Sequence, residues 1–364
     1  MYILGINFSH HGSICLLKDG EVVLFLEEER LSRHKAGFIS DKSHNVLLKI
    51  KDYTDKLDYI CVGIEHNLLE HIVEDELLLN YNVEIIKELS DNIFSKYLEV
   101  KREFINEYDE DPNRISKVNY INLIWEELSK LTTPETKLYI DLYSHHNLHA
   151  NQTFYNSGFE EAVCVVVDGR GTGKRYDYTN TLYERESIWK FNYEESSQLY
   201  CNYAIDKNGI GSTYSRVTGE LGFNKGFEEG KTMGLSSYLP HQMKDPTMMI
   251  NVAKANILQK WSQEKVLDLI KYAIALSGSK NVCLSGGYGL NCVANYYFRK
   301  NLPPDINLYC EPIANDAGQA MGSAQKLYHK VTGDKTIRPQ KSIYYGPIPE
   351  YWNDTLAETP LKTN

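Results

Sequence analysis

The sequence lacks several features that would have fixed its class at once. No apolar run approaches the ~20 residues of a membrane-spanning helix, so no membrane partner is expected. Seven cysteines are scattered through 364 residues without a CxxC pair. That excludes a zinc ribbon or a disulfide framework and leads us to expect a reduced, cytoplasmic setting. Met1-Tyr2-Ile3-Leu4-Gly5 lacks the basic-then-apolar order of a secretory leader, so none is expected. Positive charge is in deficit: the formal net charge is −10, which argues against a broad non-specific grip on nucleic acid. No GxGxxG run supports a Rossmann reading, and Gly230-Lys231-Thr232 has neither the earlier glycine nor the preceding strand of a P-loop. What is present is apolar content, 42% of residues. That is enough for a sizeable core and incompatible with global disorder. The length suits two domains or one two-lobed one.

Along the chain, residues 2–7, 13–17 and 22–26 read as three strands in meander, with Asp19-Gly20 favouring a tight turn. The turn between the first two is small and polar (Asn7, Ser9, Gly12, Ser13), suited to offering amides to phosphate. A short helix over 43–52 and a strand over 59–64 follow, then a charged, helical stretch over 67–130 without a chemical motif. Ala162 to Val167 is a fully apolar strand ending in Asp168-Gly169-Arg170-Gly171-Thr172, an order that several ATPase folds use at a nucleotide's phosphates. Asp-Gly also makes ordinary hairpins. Runs 179–183 and 188–191 read as pairing strands, and Lys231 sits where it can meet an anion as a point charge. Leu258 to Leu276 predicts an amphipathic helix closed by Gly278. A strand over 281–284 turns through Ser285-Gly286-Gly287-Tyr288-Gly289-Leu290-Asn291 into a helix, a nucleotide-binding layout. Asp316 falls at the start of the last helix, where its carboxylate is held near amides.

The most chemical stretch is Ser144-His145-His146-Asn147-Leu148-His149, with Ser144 as the expected N-cap. On a helix, His145 and His149 project from one face, and two imidazoles at that spacing can grip one metal ion. No Glu follows the first His, so the metalloprotease pattern lacks its general base. The bland alternative is a His-rich helix start satisfied by neighbouring carbonyls. For Glu27 to Lys35 the bland reading is a solvated charged loop or helix start, and for the 27 tyrosines it is ordinary core and surface positions.

Taken together, GINFSHHGSICLLKDGEVVLFLEEERLSRHK, SHHNLHA, VVDGRGT, GKTMGL, LSGGYGLN and EPIANDAGQAMGSA resemble, in order over residues 4 to 324, the N-terminal domain of O-carbamoyltransferases of the NodU/CmcH type. That family includes the nodulation, cephamycin and tobramycin carbamoyltransferases. The resemblance implies an α/β, two-lobed fold of the actin, sugar-kinase and heat-shock ATPase (ASKHA) kind with a helical insertion. It implies a domain over 1–335, with lobes at about 1–158 and 159–335, an insertion at about 67–130, a tail or linker over 336–364, and a C-terminal YrdC-like domain absent.

It also implies roles. His145, His149 and Asp316 would hold a divalent metal, iron(II) before Mn, Mg or Zn. Asp168, Gly169, Gly171, Lys231, Gly286, Gly287 and Asn291 would bind ATP or carbamoyl-adenylate. His10 would be the general base, with Arg33 and Lys35 at the acceptor or carbamoyl group. In the family's His-Asp-x-Ser context, His11 and Gly12 stand here before Ser13. The implied reaction moves a carbamoyl group from carbamoyl-adenylate to a hydroxyl of a small molecule, sugar or nucleoside. The implied partners are a separate YrdC-like protein or domain and a second copy of the chain as a homodimer. The alternatives are a threonylcarbamoyl-tRNA-type transferase, or a nucleotide-binding module acting with a partner.

Overall fold

The chain builds one sheet pattern twice. The computed structural model describes residues 1–8, 11–39, 44–63, 77–80, 127–141, 145–175, 181–205 and 208–347. The first sheet takes β1 (Tyr2–Asn7), β2 (Ser13–Lys18) and β3 (Glu21–Glu27) as an antiparallel meander. The short helices α1 (Glu28–Ser32) and α2 (Asn45–Leu48) come next, then β4 (Tyr59–Gly63), β5 (Leu77–Asn80) and β6 (Lys137–Asp141). Its order is β3-β2-β1-β4-β6-β5, with β1, β4 and β6 parallel.

After α3 (His145–Ser157), the second sheet takes β7 (Glu161–Val167), β8 (Gly173–Arg175), β9 (Thr181–Asn192) and β10 (Ser196–Ala204). Helices α4 (Ile210–Glu220), α5 (Glu229–Leu235) and α6 (Pro246–Ser277) precede β11 (Asn281–Ser285), α7 (Cys292–Asn301), β12 (Asn307–Cys310) and α8 (Gly318–Thr332). The order β10-β9-β7-β11-β12 again joins three antiparallel strands to a parallel run. This duplicated, two-lobed α/β arrangement is the ASKHA fold. No helix among the described residues is long and apolar enough to cross a membrane.

Local chemistry accounts for the element ends. Asp19 (φ 50°) and Gly20 (φ 85°) both take the left-handed backbone that a two-residue hairpin of matching twist requires. Asp245 caps α6 by accepting the Thr247 N–H at 2.8 Å, with Pro246 at the first helical position. Gly278, at φ 70°, ends it. The runs expected as two strands over 179–183 and 188–191 are one strand, β9, and its neighbour β10 was not expected at all. None of β10's residues is fully buried, so its sequence carries no apolar face to read.

The two sheets face each other across α3 and α8, and each helix serves the other half of the chain. Ala150 and Phe154 of α3 pack on Cys164, Val166, Phe191 and Cys283 of the second sheet. Ala320, Met321, Ala324 and Leu327 of α8 pack on Ile3, Cys15, Leu17 and Cys61 of the first. The helices touch at backbone distance: a Cβ on Gly322 would lie 2.2 Å from the Leu148 carbonyl oxygen.

Buried between sheets, α3 pairs its side-chain amides within the protein. Asn151 Nδ2 donates to the Asn147 carbonyl at 2.8 Å, and Gln152 Nε2 to that of Ile313 at 2.9 Å. Asn156 Nδ2 donates to Glu311 Oε2 at 3.1 Å. Burial pushes the Glu311 carboxyl up to about 7 from 4.5. The folded protein therefore keeps a proton there that the unfolded chain has released, and that contribution is lost as pH rises from about 4.5 to 7. Glu311→Gln is expected to remove this loss, gaining about 2–3 kcal/mol on its parent between pH 5 and 8. Urea melts at both pH values check it; parallel pH profiles would refute it.

Candidate metal centre

The ends of α3, β7 and the loop before α8 meet at one point. His145 and His149 come from successive turns of α3, Asp168 from the residue after β7, and Asp316 from two residues before α8. His145 Nε2 lies 3.2 Å from His149 Nε2, 3.1 Å from Asp168 Oδ2 and 3.3 Å from Asp316 Oδ1. His149 Nε2 lies 3.3 Å from the same Asp316 oxygen. Ligand atoms from all four residues fall within 4.8 Å of one another. The group is 0–6% exposed. The first sheet reaches it through its hairpin: Asn7 Nδ2 donates to the Asp316 carbonyl at 3.0 Å, and Ser13 Oγ to that of Ala317 at 2.7 Å. Asp168 is fixed on its other oxygen by the Gly287 N–H at 2.8 Å.

The donor set fits a divalent cation. Two Nε2 atoms this close cannot both carry hydrogens aimed at each other. Atoms bound at about 2.1 Å to a shared ion stand about 3.0–3.4 Å apart along the edges of its coordination shell, the spacing seen. Burial alone would push the His145 ring down, but the Asp316 and Asp168 carboxylates outweigh it and hold the ring well above the usual histidine value. Burial and the Asp316 charge raise the Asp168 carboxyl, yet the His145 hydrogen bond and both imidazoles prevail and hold it below the usual carboxylate range. Two carboxylates removed from water at such range need positive charge held between them. Imidazole with carboxylate suits a borderline divalent ion.

The structure thus brings together His145, His149 and Asp316 and adds Asp168, which the sequence placed only at a nucleotide's phosphates. Gln319 was not foreseen: its Nε2 lies 3.1 Å from both nitrogens of His145. Gly169 offers its carbonyl to Arg185 Nη1 at 2.6 Å. Gly286, at φ 82°, abuts the Val167 backbone. Asn291 caps α7 by accepting the Ala294 N–H at 3.0 Å and exchanges amide bonds with Gln259. Lys231 is exposed and paired with Glu228. Arg33 is an exposed, left-handed residue closing α1. Lys35 reaches across the molecule to the Phe227 carbonyl at 2.5 Å. His10 and Ser144 lie outside the described residues, as do most of the 67–130 stretch and the end of the chain beyond 347.

Comparison with known proteins agrees with this architecture. The family model described as carbamoyltransferase N-terminus matches residues 2–254 and 242–325. An uncharacterized protein of Synechocystis sp., sll1178, is 26% identical, the match covering 99% of this chain and 62% of that protein. Nodulation protein NolNO of Sinorhizobium fredii is 23% identical over 98% of this chain and 51% of its own length. The chain therefore spans about half to three fifths of these relatives. Among solved structures, full-length HypF in its phosphate- and nucleotide-bound form superposes with a TM-score of 0.50 at 11% identity, covering 92% of this chain and 56% of that one.

Proposed function

Since the chain belongs to the carbamoyltransferase N-terminal family, we propose that it carries the transfer step of an O-carbamoyltransferase, moving a carbamoyl group from carbamoyl-adenylate to an acceptor hydroxyl. The observation that carries this reading is the convergence of His145, His149, Asp168 and Asp316 between two sheets of a nucleotide-binding fold. These four residues would hold a divalent ion, iron(II) first, which when bound supplies positive charge against an adenylate phosphate. The Gly287 N–H keeps Asp168 in place. Lys231, exposed on its helix, would exchange its Glu228 partner for the anion and meet it as a point charge.

In the transfer, the acceptor oxygen bonds to the carbamoyl carbonyl carbon and the mixed anhydride bond breaks. A carbamate ester and AMP leave, and the acceptor's proton passes to a base. His10 is our candidate, because a neutral imidazole accepts a proton near neutral pH. Arg33 and Lys35 are candidates for orienting the acceptor. The expected working form takes its carbamoyl-adenylate from a YrdC-like domain or protein, with a homodimer as a further assembly and the cytoplasm as its place of work.

The test is direct. The chain, loaded with iron(II) under anaerobic conditions, is incubated with carbamoyl-adenylate and a panel of aminoglycoside, sugar and nucleoside hydroxyl compounds. A product heavier by one carbamoyl group, with AMP released in equal amount, is the expected result. Tight nucleotide binding without product from any acceptor would favour a binding module instead.

A further inference from the structure

The first turn of α3 is held from outside the helix. The His145 N–H donates to Thr172 Oγ1 at 2.8 Å, and the His146 N–H to Glu184 Oε2 at 3.4 Å. The Thr172 N–H donates to that same Glu184 oxygen at 3.1 Å. A helix cannot pair its first N–H groups within itself, and leaving one buried and unpaired costs about 1–3 kcal/mol. Thr172 and Glu184, both buried, therefore determine where this helix begins as well as satisfying it. His145 is its first residue, so a shift of the start is a shift of that imidazole.

A strand defect explains how Glu184 reaches this position. Along β9 and β10, Glu184 faces Tyr203 and Glu186 faces Asn202, so the register skips Arg185. Such a bulge breaks the alternation of side chains and re-aims them. Glu184 and Ser187 turn toward α3, while Arg185 and Glu186 both turn toward the start of α4. The Arg185 chain lies where a Cβ on Gly209 would approach within 2.9 Å, and Glu186 accepts the Ile210 N–H at 2.6 Å. A regular strand would have sent Glu184 and Glu186 the same way.

The His146 ring backs the arrangement. Its Nδ1 lies 2.9 Å from Ser187 Oγ, which accepts the Trp189 Nε1–H at 2.9 Å. With the Ser187 hydroxyl donating to Nδ1, the ring's proton sits on Nε2. His146 Nε2 and Glu184 Oε1 are both buried and otherwise without partners. They border Gly171, where a Cβ would lie 2.8 Å from Nε2 and 2.9 Å from Glu184 Cβ. Donor and acceptor are thus left over on either side of a residue with no room for a side chain.

The geometry points to Thr172 and Glu184 as positioning residues that seat the first turn of α3 and so aim His145 Nε2 at the ion site. The inference rests on the metal reading above. Asp168 stands four residues before Thr172, so the loop that delivers one carboxylate also seats the helix that delivers the imidazoles.

Calorimetric titration of the full chain with Mn²⁺ tests it, alongside the visible absorption of the Co²⁺ form. Thr172→Val, which removes the acceptor but keeps the shape, is expected to weaken Mn²⁺ binding about 10–100-fold, the range for losing a hydrogen bond behind a ligand. The Co²⁺ bands should shift with it. Thr172→Ser restores the acceptor and should restore both affinity and bands, while all metal-free forms melt within a few degrees of the parent. Glu184→Ala is expected to act in the same direction; should it fail to fold, the Thr172 pair decides alone. A parent chain that binds no Mn²⁺ or Co²⁺ overturns the metal reading itself. A parent that binds, with Thr172→Val binding equally well, overturns only the positioning role.

Discussion

His149→Ala should empty the chain of its metal. The imidazole is fully buried, and its Nε2 stands within 3.3 Å of both His145 Nε2 and Asp316 Oδ1. Losing a direct ligand should exceed the about 10–100-fold penalty of losing an outer hydrogen bond, so elemental analysis of purified protein should read near zero. Nucleotide affinity and carbamoyl transfer should fall with it. The metal-free variant should nevertheless fold, because removing one ring from a crowded cluster relieves as well as loosens it. A variant that retains the parent's metal content, with unchanged circular dichroism, would show that His149 is no ligand.

Gly322→Val should cost heavily in stability. An added Cβ would press to 2.2 Å from a backbone carbonyl oxygen of the neighbouring helix, and that oxygen belongs to Leu148, beside His149. Relief requires α3 and α8 to part by more than about 1 Å, against interiors packed as densely as organic crystals. Overpacking of flexible side chains costs about 1–3 kcal/mol; a rigid backbone target should exceed that and leave little folded protein at 37 °C. Gly322→Ala should fold with a lowered melting temperature and weakened Mn²⁺ binding. A valine variant melting with the parent would mean that the two helices do not meet as closely as described.

How much the sequence disclosed varied from place to place. The Asp19-Gly20 hairpin, the apolar strand β7 and the Gly278 stop on α6 were legible, because each depends on neighbours along the chain. The four-residue spacing of His145 and His149 was legible for the same reason. Asp168 joining the imidazoles was not, since that depends on a loop meeting a helix 23 positions away. Helix α3 also misleads. Its residues HHNLHANQTFYNS read as a wet surface, yet nearly all are buried, their amides answered by Ile313, Glu311 and one another. The run Glu184-Arg185-Glu186 looks like an exposed loop and is instead interior, because the bulge at Arg185 gives each charge a polar destination.

The crossed packing of α3 and α8 bears on how the protein can be cut. A break after residue 158 falls in a plain loop, as a boundary between modules would. It would nevertheless strip the first fragment of the helix covering Ile3 and Cys15, and the second of the helix covering Cys164 and Phe191. Neither piece should be soluble by itself, yet the two expressed in one cell should recombine, each bringing the lid the other is missing.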